Sequence, residues 1–202
     1  MRQPIFGTIT CMKNRATITQ MLRYLIEGMK GQQMTKLYLL KAVYLANRYH
    51  LRKDGRLISR ANYVAMPLGP VPSEVKSWLE HVSRRGANGV DGLFAKPIGN
   101  RLFAFESSKK HPCSWDCLSE TDREALDAVI RLMKERVATK DLVAYTHNFP
   151  EWKRHEGELT PSHQSVKMEI TDFFLPADPK VEYCDADDAL VAMNLDYYCN
   201  PF

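Results

Sequence analysis

The fold is decided by residues 36–75, which read KLYLLKAVYLANRYHLRKDGRLISRANYVAMPLGPVPSEV. A nearly all-apolar helix runs into a glycine turn, a short strand follows, and a Gly-Pro-Val-Pro corner opens another helix. The stretch contains no nucleophile elbow, no metal-ligand quartet and no phosphate-binding loop. It specifies a shape before any chemistry, which is typical of a binding module.

The first helix of this stretch is predicted to run from Thr35 to about Arg52. Its polar positions Lys41, Arg48 and Arg52 lie on one narrow stripe, and apolar side chains fill the rest of its circumference. A helix that is apolar over most of its circumference is a buried one. We therefore expect this helix to be the centre of the core.

After a turn at Asp54-Gly55, residues 62–66 alternate as a short strand. Pro70 and Pro72 fix two backbone φ angles, and Pro72 is tolerated in the first turn of the helix that follows. We therefore predict a rigid corner over residues 69–72 and a helix that ends by Gly86. The corner is either a structural bend or a device that holds backbone groups and Met66 at a surface for a partner; both readings stay open.

Elements on either side of this stretch have their own signals. Thr17 and Gln20 fit a capping box, and the apolar spacing after Thr17 predicts a helix that Gly31 closes. Residues 93–98 and 101–106 read as a hairpin around Gly99-Asn100, with Pro97 marking an edge strand.

The second half is predicted to start with a helix capped by Ser119 and Asp122, whose apolar face repeats at helical spacing. A short helix follows from Thr139 through His147 and ends at Pro150. Residues 155–183 read as irregular. A last amphipathic stretch is capped by Asp185 with Asp188. Its apolar side chains Leu190, Met193 and Tyr197 either dock on the domain, which is the favoured interpretation, or are offered to a groove of a partner.

The composition is that of a globular chain of 202 residues, long enough for one domain with an appendage. No apolar run approaches the roughly 20 residues of a membrane span, and no secretory signal is recognisable. Five cysteines at irregular spacing suggest no framework of disulfides, so we expect a cytoplasmic protein.

The charge is unevenly divided along the chain. Residues 1–110 contain 19 Lys and Arg against 6 Asp and Glu, whereas residues 111–202 contain 9 against 18. Such a split indicates complementary surfaces that meet within the fold, or a basic face for an acidic partner. We favour the intramolecular interpretation. Nucleic-acid binding stays open as an alternative, although the basic residues are scattered and no DNA- or RNA-reading motif accompanies them.

The sequence allows two hypothetical chemical sites, a zinc site and a hydrolytic triad, and for both a structural role of the residues is the favoured interpretation. His111, Cys113, Cys117 and Cys184 lack the spacing of a zinc knuckle, so loop cysteines are the favoured interpretation. His50 and His147 with Asp54 have no nucleophile elbow to serve, and each histidine ends a helix, where imidazole interacts well with the last carbonyls. We predict no catalytic residue, no metal and no cofactor.

The aromatic residues divide into core and interface candidates. Trp78 falls on the apolar stripe of its helix, which indicates core. Trp115 and Trp152 fall in loops, where an aromatic side chain more often marks an interface.

The stretch quoted first resembles the Panacea domain of the SocA-type antitoxin family. The matching positions are Lys36, Leu37, Leu40, Tyr44, Leu45, Ala46, His50, Gly55, Tyr63, Ala65, Met66, Gly69, Pro70 and Val71. A second, supporting set is Leu118-Ser119-Glu120, Leu142, Thr146-His147 and Trp152. The resemblance covers about residues 15–155. It implies a small protein that neutralises a toxin by binding it and, in one branch of the family, delivers it to a protease.

From residues and resemblance together we predict a mainly helical α+β fold, a compact single domain with a central buried helix and a small antiparallel sheet. Residues 15–155 would form the Panacea-like domain and residues 156–202 an extension docked on it. The predicted function is neutralisation of a protein toxin by direct binding, without enzymatic activity. An adaptor for an ATP-dependent protease and a nucleic-acid-binding regulator are the alternatives. The partner-binding candidates are Met66, Gly69, Pro70, Val71, Ser73, Glu74, Trp115 and Trp152.

Overall fold

The central element of the structure, a computed structural model, is a helix whose residues are buried without interruption from Leu39 to Arg52. The structure describes residues 5–135, 141–183 and 186–200, with side chains from residue 13 onward. The described elements, in chain order, are seven helices and five strands. The helices are α1 (Ile5–Gly28), α2 (Lys36–Asp54), α3 (Ser73–Arg85), α4 (Glu120–Glu135), α5 (Leu142–His147), α6 (Pro150–Lys153) and α7 (Asp188–Cys199). The strands are β1 (Tyr63–Met66), β2 (Gly69–Pro72), β3 (Leu93–Gly99), β4 (Leu102–Ser107) and β5 (Val166–Lys167).

The predicted class, mainly helical α+β with a central buried helix and small antiparallel sheets, is confirmed. α2 lies at the centre, in contact with α1, α3, α4, α5 and α7. It ends at Gly55, which has a φ of 72° and donates its N–H to the carbonyl oxygen of Leu51. No helix among the described residues is long and apolar enough to cross a membrane.

The strands form two antiparallel sheets. One has three strands in the order β2-β1-β5, and the other is the β3–β4 hairpin. Gly99 pairs with Leu102, so the hairpin turns at Asn100-Arg101, one residue later than predicted, and the register shifts between Pro97 and Gly99. The turn lies one residue later because an irregularity in the ladder changes the pairing after Pro97. The alternation of the sequence does not reveal such an irregularity.

The predicted corner over residues 69–72 was wrong in kind, because these residues are strand β2. Val64 pairs with Val71 and Met66 with Gly69, which leaves Pro67-Leu68 as the turn. In an antiparallel ladder only alternate residues exchange backbone hydrogen bonds. The prolines occupy the other two positions, so their missing N–H groups do not disturb the pairing with β1.

Three helix boundaries differ from their predictions. α1 begins at Ile5, so Thr17 is an interior residue and its hydroxyl donates to the carbonyl oxygen of Lys13 instead of forming a capping box. α5 ends at His147, as predicted, but Pro150 does not end it: Pro150 opens a further short helix, α6. α7 is capped by Asp187, whose carboxylate accepts the N–H of Leu190; the predicted caps Asp185 and Thr139 lie outside the described residues.

The start of α4 follows its prediction closely. The Ser119 hydroxyl accepts the N–H of Asp122 at 3.2 Å, and the Asp122 carboxylate accepts the N–H of Ser119 at 2.8 Å. This reciprocal pair is a capping box built with aspartate. The predicted apolar face of α4 is buried through Leu126, Val129, Ile130 and Met133.

Residues 155–183 are more ordered than the sequence suggested. They contain 3-10 turns at Glu156–Glu158 and Ile170–Phe174, and β5, which pairs with β1. Phe173 packs edge-to-face against Tyr44 and Tyr63 in the core. The division of the chain at residue 155 stays a prediction.

α7 packs against α2 through a different face from the one predicted. Val191 and Asn194 are buried, whereas Met193 and Tyr197 are 61% and 56% exposed. The Asn194 amide donates to the carbonyl oxygens of Arg52 and Lys53, both at 2.9 Å. The last carbonyls of α2 need donors, and that requirement, which hydrophobic spacing does not reveal, sets the rotation of α7.

Candidate partner-binding site

The turn of the β1–β2 hairpin carries an exposed apolar side chain. Leu68 is 57% exposed at the tip, beside the exposed Pro67. Gly69 follows with a φ of 97°. A Cβ at this position would lie 2.6 Å from Lys41 Nζ and 2.9 Å from Thr146 Oγ1. Glycine is therefore required both by the backbone conformation and by the close approach of α2 and α5.

Two side-chain donors fix the hairpin next to its turn, one on each strand. The Trp152 indole Nε1 donates to the carbonyl oxygen of Met66 at 3.0 Å. Lys41 Nζ donates to the carbonyl oxygen of Pro70 at 2.9 Å. Both donors come from buried side chains, Lys41 at 0% and Trp152 at 3% exposure. The tip is thus held from α2 and from α6 at once.

His147 completes this cluster. Its ring stacks on the Trp152 indole with centroids 3.7 Å apart and planes 3° apart. Burial, and the neighbouring charge of Lys41, lower the pKa of His147. Its Nε2 atom is buried and has no hydrogen-bond partner among the described residues. Burial also lowers the pKa of Lys41, to about 7.

A groove of about 510 Å³ opens beside the hairpin tip. Its lining comes from the hairpin, from α5 and α6, and from the chain that follows them: Pro67, His147, Trp152, Glu156, Leu159, Thr160, Pro161 and Gln164. Thr160 and His163 pair across a tight turn that forms the far wall. The groove therefore offers apolar walls, an imidazole and one carboxylate, that of Glu156, next to the exposed Leu68.

Two other predicted binding residues, Ser73 and Glu74, lie at a separate groove of about 460 Å³ between α1 and α3. The Glu74 carboxylate is already engaged, since it accepts the backbone N–H and the side-chain amide of Asn62, both at 2.7 Å. The Arg15 guanidinium covers the face of Trp78, 3.8 Å from its ring centroid. Trp78 is buried, as its position on the apolar stripe predicted.

Trp115 lies at a third groove, of about 730 Å³, formed by the end of α1 and residues 105–115. Its φ is 60°, an unusual value for an aromatic residue. The ring packs edge-to-face on Tyr24 at 5.2 Å, so it is partly used within the fold.

The eight predicted binding residues thus do not form one surface. Gly69, Pro70, Val71 and Trp152 are buried, whereas Met66, Ser73, Glu74 and Trp115 are half-buried. Sequence reasoning missed Leu68, Lys41 and His147 at the hairpin. A signal for Leu68 was present in the quoted stretch, because it is an apolar residue between proline and glycine at a turn.

Charged side chains in α2 form a buried network at the opposite end of the stripe from Lys41. Arg48 donates to Glu151 at 2.9 Å, to both carboxylate oxygens of Glu182 at 2.9 and 3.1 Å, and to the carbonyl oxygen of Leu175 at 3.1 Å. Arg52 lies 3.7 Å from Glu182. Burial raises the pKa of Glu151, against the opposing influence of Arg48. Basic residues of the first half and acidic residues of the second half do meet within the fold here.

Neither hypothetical chemical site is assembled among the residues that the structure describes. His50 contacts α4, with Nε2 3.0 Å from Thr121 Oγ1 and 3.2 Å from Asp122 Oδ1, whereas His147 stacks on Trp152. Burial lowers the pKa of His50, and its contacts with the Arg56 carbonyl and Asp54 oppose this. For zinc, the described residues contain no group of three possible His, Cys, Asp or Glu ligands; Cys184 lies outside them.

A family model matches the central part of the chain. The model of the family described as antitoxin SocA-like, Panacea domain, matches residues 39–153, more than half of the chain. The chain therefore belongs to the SocA-like antitoxin family with a Panacea domain. No curated protein and no solved structure matches it. Lys41, the β1–β2 hairpin, His147 and Trp152 all lie within the matched region.

Proposed function

We propose that this protein is a cytoplasmic antitoxin that neutralises a protein toxin by binding it, with the hairpin tip at Leu68 and the adjoining groove as the contact surface. Membership of the antitoxin family supports the class of activity. The observation that carries the choice of surface is an exposed leucine on a hairpin that two buried side chains hold in place. A rigid apolar projection binds with little loss of conformational entropy.

The groove suits an apolar side chain of the toxin, with a basic group close to the Glu156 carboxylate. We propose that binding involves no covalent change to the toxin. Neutralisation is then stoichiometric, and the toxin remains intact.

Nucleic acid is the less favoured partner because no nucleic-acid-reading motif is present in the sequence and part of the positive charge is used internally. Four basic side chains of the first half, Arg23, Lys41, Arg48 and Arg52, are buried. Buried charges contribute nothing to phosphate contacts, which supply most non-specific nucleic-acid affinity.

The test starts from bacterial cells that express this chain together with a panel of growth-arresting toxins. For a toxin whose arrest is relieved, Leu68→Asp is compared with Leu102→Asp. Leu102 is the matched control, since it is a leucine beside the turn of the other hairpin with 48% exposure. We expect Leu68→Asp to abolish rescue and Leu102→Asp to preserve it; equal rescue by both variants would place the contact surface elsewhere.

Titration with purified proteins separates the modes of action. Binding alone predicts loss of toxin activity at about one antitoxin per toxin, with the toxin recovered intact. Activity lost at a hundredth of that ratio would indicate catalysis. Rescue that disappears in cells lacking an ATP-dependent protease would favour the adaptor alternative.

A further inference from the structure

Lys41 is an unusual residue for the centre of a core. Its side chain is fully buried in α2, and no ion pair with it is present among the described residues. Its one hydrogen bond there goes to a neutral backbone carbonyl, that of Pro70. Burial of an ammonium group without a carboxylate partner costs free energy. Lys41 must therefore provide an interaction that accounts for its presence.

The geometry of β2 shows what Lys41 supplies. Val71 and Gly69 pair with β1, so the carbonyl of Pro70, between them, faces away from the ladder. Pro70 is buried, and a buried carbonyl needs a donor. β2 is an edge strand of its sheet, so no further strand provides one. Lys41 Nζ provides it from α2.

The same ammonium group also limits which residue can follow the turn, at the first position of β2. Lys41 Nζ lies 2.6 Å from the point where a Cβ on Gly69 would be. Trp152 holds the other strand through the Met66 carbonyl. Without Lys41 the β1 end of the turn would still be fixed by Trp152, but the β2 end would keep only its pairing with β1. The direction in which Leu68 projects depends on both ends.

We infer that Lys41 is a positioning residue, which fixes β2 and thereby the orientation of Leu68 for partner binding, and that it is present for this purpose and not for stability. The inference rests on the proposed function for its biological purpose. Its physical content, that Lys41 orders the hairpin locally, is separate and can be measured without a toxin.

The experiment compares Lys41→Met with Lys36→Met. Methionine keeps most of the side-chain length and removes the donor, and Lys36 is a partly exposed lysine on the same helix, paired with Glu80 at 3.3 Å. Hydrogen exchange is measured at the amides of Gly69 and Val71, the two residues of β2 that have one. Unfolding by urea at pH 7 gives the global stability of each variant.

We expect Lys41→Met to accelerate exchange at Gly69 and Val71 by about tenfold or more through local opening, while its urea midpoint stays at or above that of the parent protein. Lys36→Met should change neither. Unchanged exchange at β2 would overturn the inference. Faster exchange together with a lower urea midpoint would also overturn it, and so would failure of Lys41→Met to fold, because both results would make Lys41 a stabilising residue. A further outcome is that Lys41→Met loosens the hairpin and still neutralises a toxin that the parent protein neutralises. In that case the proposed contact surface is wrong, and the local ordering role of Lys41 stands.

Discussion

At the scale of single residues, the structure separates charges that are compensated from one that is not. Arg48 has two carboxylates and a carbonyl around its guanidinium group. Lys41, seven positions earlier on the same stripe of α2, has one carbonyl. Substitutions at the two places therefore differ in effect. Replacing a carboxylate partner of Arg48 leaves a buried charge less well compensated, whereas replacing Lys41 removes a buried charge that has no carboxylate partner among the described residues.

The first prediction concerns the pH dependence that Lys41 imposes on stability. Burial lowers the pKa of Lys41 to about 7 in the folded protein, against about 10.4 in an unfolded chain. Between these values the unfolded state binds more protons, so stability rises with pH in this window and is lost as pH falls toward 7. The free energy of unfolding of the parent protein, minus that of Lys41→Met, should rise by about 1.4 kcal/mol per pH unit in this window. Urea titrations at pH 8, 9 and 10 measure it; a constant difference would mean that Lys41 titrates normally.

A second prediction concerns Glu151, which is fully buried between Tyr44 and Arg48 at 2.6 and 2.9 Å. Glu151→Gln removes the fully buried one of the two carboxylates around Arg48 and leaves Glu182 in place. Breaking a buried pair at one partner typically costs about 3–5 kcal/mol, and because Glu182 remains we expect a loss near the lower end, about 3 kcal/mol. The matched control is Glu124→Gln, at an exposed pair with Lys53, where about 0–1 kcal/mol is expected. Denaturant unfolding of the two variants tests this, and similar losses in both would contradict it.

At the scale of secondary-structure elements, local signals predicted what they encode directly. The apolar circumference of α2 and the Ser119–Asp122 cap of α4 were both recognisable, because each depends on residues close in sequence. β5 was not, since a strand of two residues owes its existence to pairing with β1, about a hundred residues earlier. β2 was misread because two prolines in four residues oppose a strand unless the pairing partner is known.

The candidate site shows the same division. Met66 and Gly69 were predicted as binding residues from the two prolines and the family resemblance, and Trp152 as an aromatic residue in a predicted loop. The structure brings the three together at one hairpin. The support from Lys41 and the stacking of His147 on Trp152 could not be predicted, because they join α2, α5 and α6 across long stretches of chain. Whether the predicted residues contact a partner stays a prediction.

A third prediction distinguishes the two faces of α7. Val191 is buried on the face that contacts the fold, and Met193 is exposed. Val191→Ala should accelerate hydrogen exchange across residues 188–199, because it removes contacts that hold a helix too short to be stable alone. Met193→Ala should leave exchange unchanged. The reverse result would restore the face that hydrophobic spacing had predicted.

At the scale of the whole molecule, the residues after 155 contribute to the core of the part that precedes them. Phe173 packs between Tyr44 and Tyr63, β5 extends the sheet, and Glu182 pairs with two arginines of α2. The uneven charge along the chain thus reflects, in part, attraction between its own two halves. The exposed pairs contribute little energy, whereas loss of one partner from the buried pairs near α2 would be costly because it leaves a buried charge less well compensated.

The fourth prediction follows for a shortened chain. A protein that ends at residue 155 would expose the Tyr44–Tyr63 aromatic surface and leave Arg48 without two of its acceptors. We expect it to lose cooperative thermal unfolding, measured by circular dichroism and calorimetry. A cooperative transition near the parent melting temperature would instead show that residues 1–155 fold independently.

The pairing of Glu182 with Arg48 and Arg52 also bears on how such a module can be moved between genes. The family match stops at residue 153, yet the second carboxylate that neutralises these arginines lies at residue 182. A recombination event, or a laboratory graft, that copied only the matched segment would transplant two interior cations without it. We therefore expect a graft of this chain to fold only when it includes Glu182 as well as the matched segment.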